Sequence, residues 1–207
     1  MKGFDIAIMV LFSPVDGFLA IKKDRTAFRV LFPTLILMWS LFSSVARLFV
    51  THYPLTSVNI LDVNLFQEVF SFLLPFFLWV LAYYYVTCIA SGEILLREAY
   101  AAVCYALLPY AVFTLPIALF TNTLGISSAG LISALTMIVS IWVVILVLVG
   151  IREMNGYTIP KTIGVAVFGL GAVLFIAVVF VLLYVLGVKL VDFIGEIFKE
   201  YRLLLFK

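Results

Sequence analysis

The side chains that most often carry acid–base, nucleophilic or metal chemistry are scarce in this sequence and are not clustered. The chain has 207 residues but a single histidine, His52, and two cysteines, Cys88 and Cys104, which both fall in apolar segments. No phosphate-binding loop G-x-x-x-x-G-K-[ST], no G-x-S-x-G nucleophile elbow and no H-E-x-x-H metal helix occurs in the sequence. The residues therefore predict a protein that is not an enzyme and that holds no metal and no other cofactor.

Charged and polar side chains concentrate instead in two short segments between apolar stretches. Glu93 and Arg97 in the first segment have the i,i+4 spacing that favours an ion pair on a helix. The second segment contributes Arg152, Glu153 and Tyr157. We predict that these five residues form a partner-binding surface. The alternative interpretation, which the sequence leaves open, is that they are ordinary solvated loop ends and headgroup anchors.

Long gaps between charges define the elements that must position those residues. Hydrophobic residues make up 66% of the chain and charged residues 12%, where a soluble domain has about 25% charged residues. Because an ionised side chain inside a bilayer costs about 2.5–3.5 kcal/mol on insertion scales, the uncharged gaps mark hydrocarbon. We predict an all-α integral membrane protein, a bundle of five transmembrane helices, with spans at about 30–50, 66–90, 101–121, 131–151 and 162–187.

The segments outside the spans are assigned by amphipathicity and charge. We predict one membrane domain, 1–207, with an amphipathic N-terminal arm over residues 1–29 and an amphipathic interfacial helix over 189–207. The arm carries five lysines and arginines, whereas segments 51–65 and 122–130 carry none. The positive-inside rule then places the N-terminus in the cytoplasm and the C-terminus outside the cell membrane. The net charge of +2 does not suggest nucleic acid as a partner.

Helix-breaking residues fall inside the predicted spans. Pro75 lies in the second span, and Pro109 and Pro116 both lie in the third. Proline lacks the backbone N–H and tends to kink a helix, so these three are the predicted helix-kink sites. Two interpretations stay open, namely packing curvature and a broken helix beside a substrate cavity. The small polar residues that could line such a path are Thr114, Ser133, Thr136 and Ser140.

Five short motifs follow one another along the chain in a distinctive order. They are F-S-P-V-D-G-F at 12–18, L-L-P-F-F-L-W at 73–79, S-G-E at 91–93, Y-A-L-L-P-Y at 105–110 and G-I-R-E-M-N-G-Y-T-I-P-K-T at 150–162. Their order and their spacing relative to five spans resemble the Yip family of multi-pass membrane proteins (Ypt/Rab-interacting proteins), especially its prokaryotic branch. The resemblance covers roughly residues 10–200.

The resemblance implies five spans and a cytosolic N-terminus. Eukaryotic members act in vesicle trafficking with Rab-type GTPases, but this chain lacks their long N-terminal region and their D-L-Y-G-P and G-Y-G-Y signatures, so GTPase binding is not secured. The expected function is a scaffold or membrane-organising, trafficking-type protein. Its expected partners are the lipid bilayer and other membrane proteins or a cytosolic protein, and a homo-oligomer stays open. The alternative is a transport component, such as a permease-like subunit, a pore or a transporter accessory protein.

Overall fold

A computed structural model of the protein describes residues 3–23, 30–51, 64–123 and 128–205. These residues form eight helices and no strand, so the predicted all-α class is confirmed. The helices are α1 (Gly3–Phe12), α2 (Pro14–Lys23), α3 (Leu31–Val50), α4 (Leu65–Ile89), α5 (Leu96–Ala106), α6 (Leu108–Phe120), α7 (Ala129–Asn155) and α8 (Ile159–Leu205).

Five helical segments among the described residues are long and apolar enough to cross a bilayer, which confirms the predicted count of five spans. Helices α3, α4 and α7 each form one span, and α8 supplies the fifth over Ile159–Gly195. The third span, Leu96–Phe120, consists of α5 and α6 together. Each segment is long enough because a helix rises about 1.5 Å per residue and the hydrocarbon core is about 30 Å thick.

Helix ends that carry cations lie at one end of the bundle, which is named the basic end below. Helix α2 ends there with Lys22 and Lys23, α7 ends there after Arg152, and α8 begins there before Lys161. Gly156 terminates α7 because its φ of 66° is left-handed, a conformation that glycine adopts without steric cost. The chain therefore reverses direction between α7 and α8 within three residues.

At the opposite end of the bundle, named the far end, side chains close the helix ends. Asn64 Oδ1 accepts hydrogen bonds from the backbone N–H groups of Phe66 (3.1 Å) and Gln67 (3.3 Å) and so caps α4. Asn122 Nδ2 donates to the carbonyl oxygen of Val50 at 2.9 Å, which ties the residues after α6 to the end of α3. These bonds satisfy backbone groups that have no partner within their own helix.

Helix α5 lies at the centre of the bundle and packs against α3, α4 and α7. Eight of its eleven residues are buried. Small side chains let neighbouring helices approach closely, and they explain why this helix is central. The four alanines among its buried residues are Ala99, Ala101, Ala102 and Ala106.

The N-terminal arm is not free of the bundle in the part that the structure describes. Helices α1 and α2, joined by Ser13, pack against each other, and α2 lies against α7. Gly17 is so close to Val10 that a Cβ built on it would lie 2.6 Å from the Val10 nitrogen. Phe18 is 0% exposed, and a Cβ built on Gly150 of α7 would lie 3.1 Å from its ring. Apolar side chains of the arm, such as Val10 and Phe18, are packed among the spans, while others, such as Phe4 and Phe12, are exposed, so α1 is apolar on both sides rather than amphipathic.

The hairpin formed by α1 and α2 extends from the basic end toward the middle of the bundle. Phe12 and Pro14 at its tip line a cleft together with Trp142 and Leu146 of α7. Trp142 and Leu146 lie about 15 Å and about 9 Å along α7 from Arg152, at about 1.5 Å per residue. The sequence did not predict this insertion because each helix has ten residues, half the length of about 20 that defines a span.

The C-terminal segment is helical, but it is not the separate interfacial helix that the sequence predicted. Helix α8 runs without interruption for 47 residues, about 70 Å, more than twice the thickness of the hydrocarbon core. The expected break near residue 188 is absent because Gly187 and Lys189 are each tolerated inside a helix and no proline follows them. Beyond this point described side chains such as Leu190 and Phe193 are exposed.

Candidate functional site

Two loops at the basic end meet and pack against each other. One loop, residues 90–95, joins α4 to α5, and the other, residues 156–158, joins α7 to α8. Gly92 lies at the contact, because a Cβ built on it would lie 2.5 Å from Tyr157 Oη and 2.6 Å from Asn155 Oδ1. Position 92 therefore accepts glycine and no larger residue without moving one of the loops.

Tyr157 is the aromatic centre of this contact. It is 7% exposed, and its hydroxyl lies 3.3 Å from the carbonyl oxygen of Ala90 and 3.4 Å from that of Thr87, to which it donates. The Nζ atom of Lys161 lies 4.2 Å from the centre of the ring and forms a cation–π contact. Burial raises the pKa of Tyr157, since the phenolate would lose its hydration. The hydroxyl is therefore neutral, and able to donate, at neutral pH.

Asn155 ties α7 to α4 beneath the two loops. Its Nδ2 atom donates to the Tyr83 hydroxyl at 3.0 Å and to the carbonyl oxygen of Ile151 at 2.9 Å. Thr87 Oγ1 donates to the Tyr83 carbonyl oxygen at 2.8 Å, so the Thr87 side chain bonds back to its own helix. These contacts anchor both loops on the ends of α4 and α7. The group is named the loop junction below and consists of Tyr83, Thr87, Gly92, Asn155 and Tyr157.

The predicted partner-binding residues lie at the basic end beside the loop junction. Glu93 and Arg97 are exposed. Arg152 forms an ion pair with its sequence neighbour Glu153, with Nε and Oε1 3.5 Å apart. Tyr157 belongs to the junction itself, so its side chain holds the loops together rather than projecting from them. The structure thus brings both charged segments to one end of the bundle, and their role in binding a partner stays a prediction.

The predicted helix-kink sites differ in what happens to the helix. The third span is broken, because α5 ends at Ala106 and α6 begins at Leu108, one residue before Pro109. Pro109 has no backbone N–H to continue the ladder of hydrogen bonds, which accounts for a break at this point. Pro75 and Pro116 lie inside α4 and α6, and both helices continue past them. Of the three prolines, Pro109 therefore accompanies an interruption of the span.

An apolar groove of about 610 Å³ opens beside this break, between α4, α5, α7 and α8. Pro75 and Leu107, the residue at the break, both line it, and among the described lining residues only Trp79 has a polar side-chain atom. The suggested path residues Thr136 and Ser140 do not line it, and each of their hydroxyls donates to a carbonyl one turn earlier on α7 at 2.9 Å. The groove therefore offers contacts to hydrocarbon and not to a polar solute.

One polar cluster, at the far end, was missed from the sequence. Arg47 Nη2 lies 3.9 Å from Glu68 Oε1, and Ser44 Oγ donates to the same oxygen at 3.1 Å. The cluster joins α3 to α4 where both helices approach the far end. The only sequence signal for this cluster was that Arg47 and Glu68 are isolated charges near the ends of two apolar stretches. No rule of local spacing pairs residues on different spans, so the ion pair was not predicted.

No metal or cofactor site is found in the part of the chain that the structure describes. There, no group of three or more His, Cys, Asp or Glu side chains is placed to hold a metal ion. Cys88 is exposed and Cys104 is buried, and both are free thiols. His52 lies outside the described residues. The expectation that the protein carries no cofactor stays a prediction.

Comparison with known proteins gives one match, which is to a family model. No curated protein and no solved structure shows a significant match to the chain. The model described as the Yip1 domain matches residues 8–191, which include the tip of the hairpin, the loop junction and the broken third span. The match covers well over half of the chain and agrees with the resemblance that the order of the motifs suggested. The chain is therefore a multi-pass membrane protein that belongs to the Yip family.

Proposed function

We propose that this member of the Yip family is a non-enzymatic, membrane-organising scaffold that binds a partner at the basic end. The observation that carries the proposal is the loop junction, which packs loops 90–95 and 156–158 against each other through Gly92 and Tyr157, beside the charged residues of both segments. A surface that is already ordered loses little conformational entropy on binding. The proposed partner is another membrane protein or a cytosolic protein. Membership of the prokaryotic branch stays a prediction.

Charged side chains beside the junction lie at the surface. Glu93 and Arg97 are exposed, and the side chain of Arg152 is 47% exposed. Arg152 is the exposed partner of its ion pair with Glu153, and a solvent-screened pair of this kind contributes about 0–1 kcal/mol to stability. A surface of mixed sign favours a partner of complementary charge and fixes the orientation in which it docks.

The hairpin of α1 and α2 supports the membrane-organising part of the proposal. It adds two helices to the half of the bundle nearest the basic end. Phe4, Ile8 and Phe12 form an exposed apolar stripe on α1, at i, i+4 and i+8. A helix that presents such an apolar stripe places it between the lipids of one leaflet. We therefore expect the protein to occupy more area in the leaflet at the basic end than in the other leaflet.

The proposed orientation places the basic end in the cytoplasm and the C-terminus outside the cell membrane. The support is the positive-inside rule applied to the cations of this end. A reporter fused after Glu98 should give a cytoplasmic signal, and one fused after Asn64 an extracytoplasmic signal. The opposite pair of signals would reverse the orientation without changing the geometry of the bundle.

Charge reversal at the basic end tests partner binding. Arg97→Glu and Arg152→Glu should each lower the recovery of cross-linked partners from native membranes about tenfold, because a like-charge contact replaces an attractive one. Lys189→Glu makes the same kind of change on an exposed part of α8 away from this end, and it should leave recovery unchanged. If partners are recovered undiminished with both arginine variants, the binding site lies elsewhere on the protein.

One observation favours the alternative function, a transport component. The apolar groove lies beside the break at Leu107, the arrangement expected of a broken helix next to a cavity. Its apolar lining restricts the candidate cargo to hydrocarbon-rich molecules, because a polar solute would lose its hydration without finding partners there. Flux of a fluorescent lipid between leaflets, measured in proteoliposomes against protein-free vesicles, separates this function from the scaffold.

A further inference from the structure

The apolar groove runs between α7 and α8 in the half of the bundle nearest the basic end. Val144 and Leu148 line it from α7, and Ile163 and Val167 line it from α8. Leu148 lies about 6 Å along α7 from Arg152, and Val144 about 12 Å, at about 1.5 Å per residue. The groove therefore lies at the depth of the acyl chains of one leaflet.

Hydrocarbon is the occupant that suits this lining. The volume of about 610 Å³ falls within the range of about 300–1,000 Å³ that is typical of ligand sites. An empty groove would leave its lining without dispersion contacts, whereas a hydrocarbon chain supplies them. An acyl chain of the surrounding leaflet reaches the groove without leaving the bilayer.

Two cations, Arg152 and Lys161, lie at the basic end, beyond the apolar lining of the groove. Val144, Leu148 and Arg152 are spaced at i, i+4 and i+8, so they follow one another along a single face of α7. The ion pair with Glu153 uses the Nε atom of Arg152, which leaves the two terminal nitrogens of the guanidinium free to donate. Lys161 adds a second positive charge at the same end, on α8. The apolar lining that α7 contributes is therefore followed, about 6 Å further along the helix, by the cation Arg152.

We propose that the apolar groove holds one acyl chain of an anionic phospholipid, with the lipid phosphate at Arg152. The proposal goes beyond the scaffold function, because it concerns a lipid held within the bundle and not the partner at the loops. The guanidinium binds phosphate oxygens through parallel N–H groups, a geometry that lysine cannot reproduce. A zwitterionic phospholipid fills the groove equally well, but its headgroup gains less from the cations at the basic end.

Trp79 lines the groove and can report its occupant through fluorescence. A protein with Trp79 as its single tryptophan, made by Trp39→Phe and Trp142→Phe, is reconstituted in vesicles of zwitterionic lipid. A minor fraction of lipid with brominated acyl chains, which quench indole on contact, is added with either an anionic or a zwitterionic headgroup. We expect the anionic lipid to quench Trp79 as though it were enriched about fivefold, the ratio that one basic side chain gives with anionic lipid. Equal quenching by the two lipids would overturn the proposal.

A matched pair of variants tests the headgroup part of the site. Arg152→Gln should abolish the difference between the anionic and the zwitterionic quencher while quenching itself persists. Lys189→Gln removes a cation from an exposed position of α8 outside the groove and should preserve the difference. A preference for anionic lipid that survives Arg152→Gln would contradict the assignment of Arg152 to the phosphate.

A second pair of variants tests the groove. Ala166→Phe places a large side chain in the lining and should reduce quenching by both lipids, whereas Ala134→Phe, on an exposed face of α7, should not. Undiminished quenching in Ala166→Phe would place the lipid outside the groove. If neither lipid quenches Trp79 when Ala166 is unchanged, protein and not lipid covers the groove, and the proposal is wrong. If Ala166→Phe does not fold, the comparison of quenching by the anionic and the zwitterionic lipid still tests the proposal. Ala166→Phe should leave partner recovery unchanged, which separates this proposal from the scaffold function.

Discussion

The third and fifth spans are both long and apolar, yet one is the centre of the bundle and the other is its most exposed span. In the most apolar stretch of the third span, 44% of the residues are buried, whereas in that of the fifth span the share is 11%. The fifth span is also the more apolar of the two. Hydrophobicity therefore does not sort these helices from inside to outside, as it does for a protein in water.

Side-chain size accounts for the difference between the two spans. The buried face of α5 is rich in alanine, including Ala99 and Ala102, whereas α8 presents exposed residues such as Leu170, Leu174 and Phe175. Lipid chains are as apolar as leucine, so a large apolar side chain gains little by leaving lipid for protein. Small side chains instead allow close helix approach, and the resulting packing holds α5 inside.

The largest expected effect comes from enlarging a residue of α5. Ala99 is 0% exposed, and Ala99→Leu adds three carbon atoms where no space exists, so we expect a loss of about 3 kcal/mol in the free energy of unfolding. Gly171→Leu adds more volume to α8, but a Cβ at Gly171 meets nothing within 4 Å, and the variant should fold normally. Thermal unfolding in detergent measures both variants. Equal losses of stability in the two variants would contradict the conclusion that α5 is closely packed and α8 is not.

The sequence predicts the five spans, because their positions depend only on where charged residues are absent. Charge-free stretches of about 20 residues cannot avoid the bilayer, so the five spans follow from the sequence alone. The insertion of α1 and α2 does not follow, because helices of ten residues resemble a surface arm until their partners are known. The contact of Phe18 with Gly150 joins residues that are far apart in the sequence, and no local pattern encodes it.

The candidate site shows the same division. Its charged residues, such as Arg97 and Arg152, were predicted because charges must lie outside the hydrocarbon. The loop junction was not predicted, although two of the motifs that carry the family resemblance, S-G-E and G-I-R-E-M-N-G-Y-T-I-P-K-T, meet there. Tyr157 was selected as a contact for a partner, and the structure buries it against Ala90 and Thr87. Aromatic residues near loop ends serve both purposes, and sequence spacing does not distinguish them.

A second, smaller effect is expected in the hairpin, whose packing is as close as that of α5. Gly17→Ala would place a Cβ 2.6 Å from the Val10 nitrogen, and since backbone cannot yield without separating α1 from α2, we expect a loss of about 1–2 kcal/mol. Gly164→Ala on α8 meets nothing within 4 Å and should be neutral or stabilising, by up to about 1 kcal/mol, from the better helix propensity of alanine. Unfolding in detergent measures both, and effects of the same sign would contradict the packing described for the hairpin.

A third effect concerns the loop junction and depends on pH. Tyr157→Phe removes the hydroxyl that donates to Ala90 or Thr87, at a cost of about 0.5–1 kcal/mol near neutral pH. Burial raises the pKa of Tyr157, so its contribution is fully present below the unfolded pKa of about 10 and is lost as pH rises through the folded value. Stability of the original protein should therefore fall more steeply above about pH 10 than that of Tyr157→Phe.

The matched control for this third effect lies on α8. Tyr184→Phe removes a hydroxyl from a side chain that is 73% exposed, so it should change neither the stability near neutral pH nor its alkaline slope. Chemical unfolding in detergent, repeated across the alkaline range, gives both quantities. Parallel alkaline slopes for Tyr157→Phe and the original protein would mean that the phenol is not buried at the junction.

The smallest effect is expected from shortening α8. The side chains of Leu190, Val191 and Phe193 are 56–67% exposed, so we expect that cutting the chain after Lys189 changes the free energy of unfolding by less than about 0.5 kcal/mol. The measurement is thermal unfolding at two protein concentrations, with Phe193→Ala in the full chain as the control. A large loss of stability that grows with protein concentration would mean that this segment packs against a second copy. In that case α8 would be an interface rather than a lipid-facing helix, and its contrast with α5 would reflect the missing partner and not the size of its side chains.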